Sequence, residues 1–209
     1  MSHPTRSISL LAFALCLGGT LAQAQNASVY FGGGYATDGS AGASTNLFTG
    51  ATQNSPTLNA SFGKIGGDFM FSKRFGFGAE TDFAFSKANY LGFNTRPIFY
   101  DFNGIYVPFS GKYTRVVPEI AVGIGGEKMT FSYTQTSCDS LVGCSSSTTP
   151  YEAANHFQLH VGVALKLYAT KHLFIRPAFD YHFVPNFIQY GNNSVPEFGA
   201  AVGWSFGEH

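Results

Sequence analysis

Charge is scarce in this chain. Only 11% of its 209 residues are Asp, Glu, Lys or Arg, against roughly 25% in soluble domains, too few for a conventional solvated surface. Twelve cations balance twelve anions, so there is no net positive field of the kind that serves nucleic-acid binding, and no nucleic-acid partner is expected. Long hydrophobic runs are also missing. Past the N-terminal segment no continuous apolar stretch reaches the ~20 residues of a transmembrane helix, which argues against a helical membrane protein. Cysteine is limited to three residues and tryptophan to one. The abundant residues are phenylalanine (22), tyrosine (11) and glycine (25), a mixture that suits a membrane barrel better than a soluble enzyme.

The N-terminus reads as an export signal. Arg6 supplies a positive start, residues 8–19 a short apolar run, and Ala22-Gln23-Ala24 a small-residue cleavage site. Cys16 lies inside that run after Leu15, where a lipoprotein signal would need a small residue. It is therefore expected to leave with the signal. Two units follow: a signal peptide over 1–24 and a single barrel domain over 25–209.

The clearest patterned stretch is 156–168. Phe157, Leu159, Val161, Val163, Leu165 and Leu167 alternate with His156, Gln158, His160, Gly162, Ala164, Lys166 and Tyr168. A period of two marks a β-strand, because successive side chains point to opposite faces. Its length suits a tilted transmembrane strand, which needs about 9–11 residues. Similar alternation predicts strands over 27–36, 59–71, 75–86, 98–107, 115–128, 173–183 and 196–206. Pro118 cannot donate a ladder bond and is expected at a strand start or a bulge. The connections alternate in length: loops over 37–58, 87–97, 129–155 and 184–195, short turns over 72–74, 108–114 and 169–172. Eight strands with alternating long and short connections predict an all-β fold, an eight-stranded antiparallel up-and-down transmembrane β-barrel.

A soluble barrel also alternates, with its apolar face inside. Here, however, the polar face is mostly Gly, Ala and Ser with a few charges of both signs, which fits a crowded lumen. The apolar face carries no charge, as lipid requires, since a cation at mid-bilayer costs about 2–4 kcal/mol. That face is aromatic near the strand ends: Phe71, Phe75, Tyr106, Trp204 and Phe206 toward the turns, and Tyr35, Phe85, Tyr100, Phe183 and Phe198 toward the loops. The expected surroundings are outer-membrane lipid.

Three marks carry a resemblance: Phe75-Gly76-Phe77-Gly78-Ala79-Glu80, the run from Pro118 to Gly125, and a last strand ending in Phe206. Over residues 27–206 the chain resembles the small outer-membrane β-barrel superfamily, the OmpA/OmpX-like eight-stranded barrels. The resemblance implies the bacterial outer membrane as location. It also implies that Trp204 and Phe206 form the C-terminal signal read by the barrel-assembly machinery, although Gly207, Glu208 and His209 follow. Some relatives carry a periplasmic peptidoglycan-binding domain; with three residues after Phe206, that role is not expected here.

Strand phase turns Lys64, Asp68, Glu80, Asp82, Asp101, Glu119, Lys166, Arg176, Asp180 and Glu197 into the lumen, with His156, His160 and His182. Seven carboxylates against three permanent cations leave an acidic excess. Buried charges must pair or be neutralised, so a network filling the barrel is expected, with a gated ion path or cation site as the alternative. Arg176 is the expected hub, because a guanidinium can engage two carboxylates. Cys138 and Cys144, with five residues between them in an exported loop, are expected to form a disulfide. Lipid-A deacylases among such barrels use a His-x-Ser pair. Here His182 is followed two positions on by Val184, His160 by Gly162 and His156 by Gln158, so no enzyme, metal or cofactor is expected. The functional expectation is a structural or surface-interaction barrel with a filled lumen, able to meet an extracellular ligand through its long loops. A small ion or solute pore is the first alternative and a lipid-modifying enzyme the second.

Overall fold

The computed structural model describes residues 26–37, 44–45, 52–53, 59–90, 93–109, 115–139, 143–185 and 194–207. The export signal, Cys16, Glu208 and His209 lie outside them, as does most of the expected 37–58 loop. Eight long strands are present: β1 Asn26–Ala36, β2 Ala60–Met70, β3 Phe75–Ala84, β4 Phe93–Tyr106, β5 Val116–Asp139, β6 Gly143–Tyr168, β7 Leu173–Phe183 and β8 Ser194–Phe206. Each pairs antiparallel with its neighbour in sequence, and β1 pairs with β8, so the sheet closes into an eight-stranded barrel. Closure leaves no open edge, which is what lets a sheet satisfy its backbone in lipid.

The pairing fixes the stagger. From Ala36 it runs through Glu197, Asp180, Gly162, Ala121, Ile105, Gly76 and Met70 and returns to β1 at Asn26, ten residues from its start. Eight strands with this stagger tilt by about 35–45° and enclose a space that side chains can fill. The turns are closed locally: Ser72 Oγ accepts from the Phe75 N–H at 2.9 Å, and Thr170 Oγ1 from the Leu173 N–H at 3.0 Å.

Burial follows the alternation. Val29, Phe31, Ile65, Phe77, Phe102, Val122, Val163, Ile175 and Val202 all face outward, and the charged residues exposed in the same phase, Arg96 on β4 and Lys128 on β5, lie toward the loop-side ends of their strands. Phe71, Phe75, Trp204 and Phe206 are exposed near the turns, and Tyr35, Phe85, Tyr100, Phe183 and Phe198 near the loops. Tyr106 is only half-exposed; its ring packs on Phe75 at 5.2 Å.

Two stretches expected to be loops are largely strand. Residues 129–155 were expected as the longest loop. Instead β5 and β6 continue as a paired hairpin up to Asp139 and Gly143, with a register shift between Phe131 and Ser132. Most of the 87–97 stretch is also paired: Ala88–Tyr90 folds back on Phe93–Thr95, and β4 runs on beside β5 as far as Phe93↔Tyr133. The reason is physical. Beyond Ser132 the described hairpin residues are exposed on both faces, so their hydrophobicity has no period of two. Backbone ladders and the β-propensity of Thr and Tyr hold them instead.

Proline sits where the ladders allow it. Pro118 is the third residue of β5, past the last β4–β5 pair at Ile120. Opposite Pro177 the β6–β7 ladder is interrupted between Ile175↔Leu167 and Ala178↔Ala164, as expected for a residue with no N–H to give.

Candidate functional site in the barrel lumen

Inward positions on the strands bring the titratable residues together along the lumen. Eight buried carboxylates face inward: Asp68, Glu80, Asp82, Asp101, Glu119, Glu127, Asp180 and Glu197. Glu127 is one more than the sequence reading counted. It continues the Glu119, Ala121, Gly123, Gly125 face, so strand phase alone reaches it. Three permanent cations, Lys64, Lys166 and Arg176, share this space.

On the turn side, Lys166 Nζ lies 2.8 Å from Asp68 Oδ2 and 2.8 Å from Glu119 Oε1, and donates to Ser28 Oγ at 2.9 Å. Arg176 bridges Glu119 Oε2 at 3.2 Å and Glu80 Oε2 at 3.3 Å, with its guanidinium over the Tyr30 ring at 4.5 Å. The Tyr30 hydroxyl donates to Glu80 at 2.8 Å.

The hub is Lys64 rather than Arg176. Its ammonium reaches Glu80 at 2.6 Å, Asp180 at 2.5 Å, Asp82 at 3.3 Å and Glu197 at 3.6 Å. These carboxylates come from β3, β7 and β8, and only the closed barrel sets them around one nitrogen. Nearby, His160 faces Asn103 Oδ1 through Nδ1 at 2.7 Å and Asp180 Oδ1 through Nε2 at 3.2 Å. Gly162 makes room for that contact, because a Cβ there would stand 2.4 Å from Asp180 Oδ1.

Toward the loops the arrangement is less complete. Gln158 Nε2 donates to Asp101 Oδ1 at 2.5 Å and lies 3.2 Å from His182 Nδ1. Among the described residues, both oxygens of Asp82, Glu127 and Glu197, Asp101 Oδ2 and His182 Nε2 have no hydrogen-bond partner. His156 stands half-buried at the mouth, across from Glu127 in register.

Buried apolar side chains flank this polar column at both ends. Ala36, Phe62, Ala84, Phe99, Met129, Val184 and Val195 form the loop-side cluster. Tyr30, Tyr168, Phe174 and Ala201, with Met70, Ile105 and Val107 nearby, line the turn side. Gly203 leaves the gap that Phe174 fills, since a Cβ there would meet the ring at 2.2 Å. Phe62, Met70, Phe99 and Phe174 were legible in the alternation, but a search for charges passes over them; Met129 fell in a stretch expected to be a loop.

The remaining sites lie outside the lumen. Cys138 and Cys144 are disulfide-bonded across the hairpin near its tip, where Gly143 takes a positive φ of 87°. Trp204 and Phe206 point outward from β8, and the Trp204 ring stacks on His172 at 5.4 Å.

No family model matches the chain, and no curated protein matches it in sequence. Solved structures do match in fold. Neisserial surface protein A superposes with a TM-score of 0.56 at 15% identity, over 86% of this chain and 97% of that one. The outer-membrane protein OprG from Pseudomonas aeruginosa gives 0.53 at 13% identity, over 88% and 97%. Ail, the attachment invasion locus protein of Yersinia pestis, in complex with the heparin analogue sucrose octasulfate, gives 0.50 at 14% identity, over 87% and 98%. The chain thus has the fold of the small eight-stranded bacterial outer-membrane barrels.

Proposed function

We propose that this protein is an integral barrel of the bacterial outer membrane, closed along its axis, that works through the end bearing the β5–β6 hairpin. The observation that carries this reading is the burial of the inward side chains: ion pairs in the middle and Phe62, Phe99 and Phe174 toward the ends. Lipid is the partner of the apolar outer face. A ligand outside the cell is the partner of the hairpin end, and the Ail complex is one instance of a barrel of this fold holding a sulfated saccharide. The reading is non-enzymatic. His160 and His182 are buried in the lumen, away from lipid, and neither has a serine two residues on. In a planar bilayer the unmodified protein is expected to show no stable open channel. Steady conductance of nanosiemens scale would replace this reading with the pore.

The orientation has its own test. The hairpin end should face the cell exterior, because long connections lie outside and short turns on the periplasmic side. Surface protease on intact cells is expected to cut within residues 129–155 and to spare 72–74. Cuts at 72–74 alone would invert the barrel.

Assembly supplies a third expectation, resting on the resemblance of β8 to a C-terminal assembly signal. The double variant Trp204→Ala, Phe206→Ala should sharply reduce folded, heat-modifiable barrel in outer-membrane fractions. Deleting residues 207–209 should leave it unchanged. The reverse pattern would move the signal past Phe206.

A further inference from the structure

We propose that the loop-side half of the lumen is a binding site for one divalent transition-metal ion, held by Asp82, His182 and Glu197. All three side chains are wholly buried. One ligand atom from each lies within 4.8 Å of the others, and His182 Nε2 is 3.9 Å from Glu197 Oε2. Among the described residues His182 Nε2 and both oxygens of each carboxylate lack a hydrogen-bond partner. Buried polar atoms are rarely left so, and here several converge on one point.

Charge points the same way. Lys166 and Arg176 serve the turn-side carboxylates, while toward the loops Lys64 alone faces Asp82, Asp180 and Glu197, with Asp101 and Glu127 beyond. Even with His160 charged, the anions there remain in excess. Lys64 engages Glu197 through Oε1, leaving Oε2 turned to His182. A dication in that gap offsets the excess.

The donor set selects the ion. One imidazole and two carboxylates suit Zn2+, Mn2+ or Fe2+ rather than Mg2+, which keeps to oxygen and water. Metal–ligand bonds of about 2.0–2.2 Å set the atoms of a tetrahedral shell about 3.4 Å apart, so the 3.9 Å pair must close by about 0.5 Å and a pair near the 4.8 Å limit by more than about 1 Å. A ligating histidine commonly gives its other ring N–H to a carboxylate. Asp101 Oδ2 has no hydrogen-bond partner among the described residues and lies 3.7 Å from His182 Nδ1, so it takes that N–H only by closing in and displacing Gln158 Nε2, which stands 3.2 Å from the same nitrogen. Phe99 stacks on the His182 ring at 4.7 Å and fixes its plane. In the neighbouring triad of Asp101, His160 and His182, both nitrogens of His160 already face oxygens, so that set is less open. With the three ligand side chains wholly buried, the ion is taken up as the barrel folds.

The test uses the full chain without a histidine tag, refolded into detergent with Zn2+ and, separately, with Mn2+ or a chelator. After a chelator wash, the Zn2+ sample is expected to retain one equivalent by elemental analysis. Its X-ray absorption should show a mixed oxygen and imidazole shell. His182→Gln and Glu197→Gln should each lower retention at least about tenfold while heat-modifiable barrel still forms. Lys73→Ala should change nothing. Folded protein that retains neither metal in stoichiometric amount would overturn the proposal and leave protons to neutralise the excess. Unchanged retention in both variants would place the ion elsewhere and overturn it equally. Should the variants fail to fold, an all-oxygen shell in the unmodified protein has the same force.

Discussion

Replacing Lys64 with alanine is expected to destabilise the folded barrel by about 3–5 kcal/mol, the range for breaking a buried ion pair. The loss arises less from the missing attraction than from what stays behind. Four carboxylates lie within 4.0 Å of the ammonium, and without it they face one another with little water to screen them. Arg176→Ala should cost less. Its two partners keep other contacts: Glu119 keeps Lys166, and Glu80 keeps Lys64 and the Tyr30 hydroxyl. Lys73→Ala alters only an exposed turn. Urea unfolding in lipid vesicles, followed by fluorescence of the single tryptophan, Trp204, ranks the three variants. Equal midpoints would mean that the lumen is wet enough to screen its charges.

Phe99→Ala is expected to cost a similar amount, about 3–5 kcal/mol for a buried Phe→Ala change, and to do so without touching a charge. Phe99 packs on Phe62 at 5.7 Å and on His182 at 4.7 Å, within the apolar cluster that closes the loop side. Its removal leaves a cavity above the polar column. The same unfolding assay reads the stability. Planar-bilayer recording should show brief openings absent from the parent. A variant with parental stability and no openings would show that closure does not depend on this cluster.

Most of the barrel was legible because lipid and lumen impose opposite demands on adjacent residues. Along 156–168 that contrast repeats without a break, and the same phase turns Lys64, Asp180 and Glu197 inward with no knowledge of pairing. The hairpin arms escaped because water lies on both sides of them. Thr134, Gln135 and Thr136 are all exposed, and a sequence with no contrast between faces shows no period. The hub escaped for a different reason. Arg176 looked best because its guanidinium has more donors, but the choice rests on register. Lys64 stands opposite Asp82 on β3, and closure brings Asp180 and Glu197 to the same nitrogen from strands more than a hundred residues away. Strand phase says which way a side chain points, but it cannot say at what height.

The continuity of β5 and β6 also sets a distance. Both strands run from the membrane-spanning wall into the hairpin without a linker, so the tip is not tethered on a flexible loop. From Met129 to Asp139, at about 3.3 Å per residue, the arm extends roughly 35 Å along its own axis, less in height once the tilt of about 35–45° is counted. Among the described residues the Phe131–Ser132 irregularity is the one register shift along it. A body resting on the disulfide-closed tip would be held off the bilayer by a strut, at a stand-off and lean inherited from the barrel wall.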